Sequence, residues 1–127
     1  MKALRIIIGI IVVVAIIFVV GSFFLPKTYS VSRSTVINAP DSLIYKNIAD
    51  FNEFYLWNPW AKMEPSAKTT FSGTPVTPGH QYNWVGKETG SGYMKIESLE
   101  PNKKIEIELK FIEPFESVAD TKFDIVP

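Results

Sequence analysis

Five aromatic residues, Trp57, Trp60, Tyr82, Trp84 and Tyr93, are the side chains best suited to chemistry with a small molecule. Cavities for small apolar ligands are lined by such rings plus a few polar groups, and phenol and indole donors can orient what enters. The same rings also read as ordinary core packing, since each buries about 150–250 Å². Trp57-Asn58-Pro59-Trp60 further has the form of a corner brace after a helix, because the residue before proline resists helical geometry.

Other constellations are sparse. His80 is the only histidine, and catalysis or metal binding would be its sharpest use. A metal needs three or four ligands, and Pro78-Gly79-His80 has no second His, Asp or Glu at ligand spacing, so His80 reads as an exposed loop residue. Glu53, Glu64 and Glu88 do not pair into an acid/base dyad by spacing. Gly86, Gly90 and Gly92 lack the Gly-Lys-Ser/Thr ending and the strand-to-helix context of a phosphate loop. The chain has no cysteine, which removes disulfides, thiolate metal sites and cysteine nucleophiles. No catalytic constellation is recognisable, and neither a cofactor nor a metal is implied.

The elements that must position the rings follow from periodicity. Asn38-Ala39-Pro40-Asp41 marks a helix start, with Pro in the first turn and Asp41 at the positive dipole end. Leu43, Ile44, Ile48 and Phe51 share one helical stripe. A second short helix over Asn52–Trp57 stops at Asn58-Pro59. Before them, Tyr29–Asn38 is rich in Val, Ile, Thr and Tyr and reads as a strand. From Thr69 the period switches to two. Strands are expected over Thr69–Ser72, Gln81–Val85, Tyr93–Leu99 and Lys104–Phe111, with a last one carrying Phe115, Ala119, Thr121, Phe123 and Ile125 on one side. Glu100-Pro101-Asn102-Lys103 is a hairpin turn. Ile105, Ile107, Leu109 and Phe111 face a core, whereas Lys104, Glu106, Glu108 and Lys110 face water. The result is an α+β layout, with short helices segregated from an antiparallel sheet.

Ahead of this domain, Ile6–Leu25 is an unbroken apolar run of twenty residues without charge. As a helix it would be about 30 Å long, the thickness of a bilayer's hydrocarbon core. It reads as a retained transmembrane anchor over residues 1–26, followed by one domain over 27–127. A cleaved secretory signal is the rival, but its apolar part is shorter and ends in small residues, whereas this run ends Phe23-Phe24-Leu25-Pro26. Lys2, Arg5 and the terminal amine favour a cytoplasmic N-terminus, which places the domain on the non-cytoplasmic side of a single-pass membrane protein. From Lys27 onward eleven Lys/Arg face thirteen Asp/Glu, a mildly acidic balance that makes no electrostatic case for nucleic acid.

Three sequence features together resemble a known superfamily. They are Tyr29-Ser-Val-Ser-Arg-Ser-Thr-Val-Ile-Asn-Ala-Pro40 before a helix, Asp50-Phe51 leading to Trp57-Asn-Pro-Trp60, and Gly90-Ser-Gly92 before the strand starting at Tyr93. The pattern resembles the SRPBCC superfamily (START-like), nearest its polyketide cyclase/dehydrase-like branch in a group with an N-terminal membrane segment. The resemblance covers about Tyr29 to Ile125. It implies the helix-grip fold, an antiparallel sheet wrapped around a long C-terminal helix with a deep apolar cavity between them. It also implies binding of lipids, sterols, hormones or polyketides, which some members cyclise or dehydrate. The family's last strands and long C-terminal helix have no counterpart after Pro127, so the expectation is a helix-grip domain truncated at its C-terminus.

The functional expectation is a membrane-anchored module that holds an apolar small molecule or lipid in its cavity without covalent chemistry. Trp57, Trp60, Tyr82, Trp84 and Tyr93 are the ligand-cavity candidates. With only Pro26, Lys27 and Thr28 before the domain, a ligand arriving from the lipid phase is the simplest supply. A cyclase, dehydratase or hydrolase on the same fold is the alternative, with Tyr82, Asn83 and His80 as its available polar groups. A third is an interaction protein that docks a partner on a sheet edge or uncovered face.

Overall fold

The computed structural model describes residues 1–127 and divides into two compact units, Met1–Val36 and Ile37–Pro127. In the first unit, α1 (Lys2–Ser22) is one continuous helix with no buried residue. It is long and apolar enough to cross a membrane, and a signal sequence near an N-terminus meets the same description.

In the second unit three short helices, α2 (Asp41–Ala49), α3 (Phe51–Trp57) and α4 (Pro59–Met63), precede five strands. These are β1 (Lys68–Ser72), β2 (Gln81–Val85), β3 (Ser91–Glu100), β4 (Lys104–Glu113) and β5 (Ser117–Asp124). All neighbouring strands are antiparallel, in the order β1-β2-β3-β4-β5, so the sheet is an open meander and the unit is α+β. Register shifts at Ser91/Gly92 and Ile96/Ser98 interrupt the β3–β4 ladder, and such bulges bend a strand and increase its twist.

Local chemistry accounts for the helix ends. The Asp50 carboxylate accepts the Asn52 N–H at 3.0 Å and starts α3. Asn58 accepts the Ala61 N–H at 2.9 Å and Pro59 takes the first position of α4, a helix not expected from periodicity because it spans little more than one turn. In α2 the buried side chains are Tyr45, Ile48 and Ala49, while Leu43 is 51% exposed, so the expected stripe is rotated. Phe51, Ala49, Ile96, Ile105 and Ile107 form the sealed centre of the core. The hairpin turn lies where expected, with Asn102 at φ 59° and the Lys103 N–H donating to the Glu100 carbonyl at 3.0 Å. On the outer face Lys104 pairs with Glu106 at 2.7 Å and Lys95 with Glu108 at 3.8 Å.

Two expectations fail. Residues 29–38 form no strand, and Tyr29, Val31 and Val36 are exposed. Val, Thr and Tyr favour a pleated surface only where a neighbouring strand completes the ladder, and this stretch takes part in no ladder. Phe115 precedes β5 and is 80% exposed instead of facing the core.

Candidate functional site

The inner sheet face and the short helices border one apolar cavity of about 200 Å³ that is partly open to solvent. Strand alternation selects its floor. In one row across the sheet Thr69 opposes Trp84, Trp84 opposes Gly92 and Gly92 opposes Phe111. In the next Phe71 opposes Tyr82, Tyr82 opposes Met94 and Met94 opposes Leu109. Thr121 and Phe123 continue the lining on β5, and Phe54, Tyr55, Asn58, Trp60 and Ala61 supply it from α3 to α4.

Gly92 shapes this floor. A Cβ there would come within 2.7 Å of Trp84 Cζ2 and would meet the Lys110 carbonyl, so the indole lies across β3 only because position 92 has no side chain. Trp84 Nε1–H donates to the Thr89 carbonyl at 3.4 Å, and its ring sits 5.9 Å from both Tyr82 and Phe111.

Glu64 fastens the helical side of the cavity to the β2–β3 turn. Its carboxylate accepts the Lys87 N–H at 2.8 Å, the Glu88 N–H at 3.1 Å, the Thr89 N–H at 2.9 Å and the Thr89 hydroxyl at 2.8 Å. The Thr89 amide and hydroxyl, ahead of the Lys87 and Glu88 amides, hold this carboxyl down at about 2, against an ordinary 4.5. A carboxylate so engaged is a strap, and with its pKa held this low it is a weak proton acceptor at neutral pH.

His80 lies elsewhere in the unit and is 1% exposed, which corrects the expectation of an exposed loop residue. Its Nε2 accepts the Phe51 N–H at 3.0 Å, which leaves Nδ1–H to donate to the Ser72 carbonyl at 3.0 Å. The ring stacks on Phe51 with centroids 4.8 Å apart. Glycines 73 and 79, both at positive φ, turn the loop so that its histidine points inward; no local signal marks that direction.

Of the five candidate rings, Trp60, Tyr82 and Trp84 border the cavity. Trp57 does not: its Nε1–H donates to the Asn47 carbonyl at 3.0 Å and its ring packs edge-on against Phe54 at 4.8 Å, bracing α3 on α2. Tyr93 does not either, because alternation puts it on the outer face, where its hydroxyl donates to Glu108 at 2.7 Å. That bond, first, raises the Tyr93 hydroxyl pKa. The three polar groups open to an enzyme are not gathered. Tyr82 borders the cavity, Asn83 faces the other side with its amide oxygen accepting from Gln81 at 2.7 Å, and His80 is spent in the core. No cluster of three His, Asp or Glu side chains could hold a metal ion.

Sequence reasoning missed Asn58 and Glu64. Asn58 is 2% exposed, and besides capping α4 it donates to the Phe54 carbonyl at 3.2 Å. Its signal was present in Asn-Pro, a cap residue followed by proline at the first helical position. Glu64 carries no such signal, since its partners stand more than twenty residues away. Compared with protein-family models, curated proteins and solved structures, the chain shows no significant match.

Proposed function

We propose that this chain is a membrane-tethered binding module of SRPBCC type, whose second unit holds an apolar small molecule or lipid without covalent chemistry. The observation that carries the reading is the cavity of about 200 Å³, bordered by Tyr82, Trp84, Phe111 and Phe123 on the sheet side and Phe54 and Trp60 on the helix side. An apolar cavity of roughly 150 Å³ suffices for benzene, so this one accommodates a compact ring system or one end of a longer chain. Supporting the tether is α1, with Lys2 and Arg5 near its N-terminal end and no charge through the rest of the helix. In this reading the helix is retained and the domain lies on the non-cytoplasmic side. The helix-grip relationship is supported by the Ala-Pro helix start, the Trp-Asn-Pro-Trp step and helices segregated before an antiparallel meander.

Equilibrating the whole chain with a lipid extract and analysing it by native mass spectrometry tests the binding reading. Retention of a discrete apolar species supports it, and an empty protein across repeated extracts contradicts it. Intact mass after membrane fractionation tests the tether, since a cleaved signal would leave a soluble product lacking α1.

A further inference from the structure

Several polar side chains that border the cavity make no hydrogen bond, and Tyr82 is the only buried one among them. Tyr82 is 6% exposed and borders the cavity, yet its hydroxyl makes no hydrogen bond to the protein. No buried side-chain oxygen in the chain is sealed without a partner, so this hydroxyl keeps some accessible surface, on a residue that borders the cavity. Three neighbouring groups are committed: Trp84 Nε1–H to Thr89, the Asn58 amide to α3 and α4, and the Glu64 carboxylate to the β2–β3 turn. The Tyr55 hydroxyl and the Trp60 indole N–H also make no hydrogen bond, but Tyr55 is only half-buried and Trp60 is 62% exposed, so water serves them. Thr69 and Thr121 add hydroxyls only on the half-buried edge strands, within reach of water.

Charge narrows the choice further. No Lys, Arg or His borders the cavity, and its one acid is Glu64. An anion would be desolvated without a counter-charge and beside a carboxylate. A cation would find the Glu64 oxygens already taken by four donors. Nor do the rings form a cage around a cation, since Tyr82 stacks on Trp84 at 30° and Trp84 meets Phe111 edge-on at 76°.

Resting on the proposed binding reading, we infer that the cavity selects a neutral, compact apolar molecule carrying one oxygen acceptor, such as a ketone or ester. The Tyr82 hydroxyl donates to that oxygen. Burial, then Tyr55 beside it with ring centroids 6.2 Å apart, raises the Tyr82 hydroxyl pKa, so the group stays a donor through the neutral range.

The test uses the whole chain in lipid nanodiscs, with the indole N–H signals of its three tryptophans as reporters. Trp60 and Trp84 border the cavity and Trp57 does not, so Trp57 serves as the internal control. Acetophenone, ethylbenzene, benzoate and benzylammonium are titrated into wild type and Tyr82→Phe. Comparing the two proteins with the same probe cancels its partition into lipid. The expected result is a saturable Trp84 shift with acetophenone and ethylbenzene. Tyr82→Phe weakens acetophenone about three- to tenfold, the scale of one net hydrogen bond, and leaves ethylbenzene within about twofold. Binding of ethylbenzene with no effect of the substitution on acetophenone overturns the inference and leaves the cavity reading standing. Benzoate or benzylammonium binding as tightly as acetophenone also overturns it. No Trp84 shift with any probe overturns both. An unchanged Trp57 signal and retained ethylbenzene binding establish that the variant is folded.

Discussion

Replacing His80 by phenylalanine keeps a ring against Phe51 while deleting both hydrogen bonds the imidazole makes. The Phe51 N–H, now 3.0 Å from Nε2, opens α3 and belongs to a residue with no exposed surface. Left without an acceptor it costs about 1–3 kcal/mol. The Ser72 carbonyl, 3.0 Å from Nδ1, lies on edge strand β1 in an exposed residue, so water replaces much of what it loses. The stacking at 4.8 Å is retained by the new ring, so a total of about 2–3 kcal/mol follows from the hydrogen bonds alone. For a domain of roughly this size, 1 kcal/mol moves Tm by about 4–8 °C, which predicts a fall of about 10–20 °C. Thermal unfolding of the whole chain followed by near-UV circular dichroism reads this directly. His80→Gln, whose amide offers one donor and one acceptor, should recover part of the loss. A fall of less than about 3 °C for His80→Phe would refute the reasoning, because a buried N–H cannot be orphaned so cheaply.

Four further outcomes follow from other parts of the chain. Glu64→Gln places an amide donor among the Lys87, Glu88 and Thr89 donors, so hydrogen exchange at those amides should accelerate about tenfold or more relative to intrinsic rates. With the Glu64 carboxyl depressed to about 2, its stabilisation is fully present above pH 4.5 and is lost only as pH falls through about 2, so the same amides should remain protected at pH 3.5. Gly92→Ala forces Trp84 off β3, and should shift its indole signal and destabilise by about 1–3 kcal/mol in urea unfolding. Limited trypsin digestion should cut first at Lys27 or Arg33, in the exposed stretch outside any helix or strand, and release a folded fragment containing α2 to β5.

What the sequence made legible was what is local or periodic. Alternation along Lys104–Phe111 located β4 and sorted its faces, and the apolar run located α1, because each pattern is written in consecutive residues. Alternation likewise put Tyr82 and Trp84 together, and both border the cavity. Tyr93 is sent outward by the register, since it opposes Asn83 and not Tyr82 across β2 and β3. That register depends on the length of the β2–β3 turn, which one strand's pattern does not contain. His80, Glu64 and the fate of residues 29–38 were illegible for one shared reason. Each depends on more than its own neighbours in sequence: Phe51 for His80, Thr89 for Glu64, and for residues 29–38 a ladder that β-propensity alone does not supply.

The cavity between the inner sheet face and the short helices is the proposed binding site. Ala61 borders that cavity from α4, and Ala61→Phe would fill part of it without removing any hydrogen bond assigned to the core. The most direct measurement is native mass spectrometry of wild type and Ala61→Phe after equilibration with the same lipid extract. Wild type should carry a discrete apolar species that the variant loses at unchanged thermal stability. Equal occupancy in both proteins, or none in either, would contradict the account.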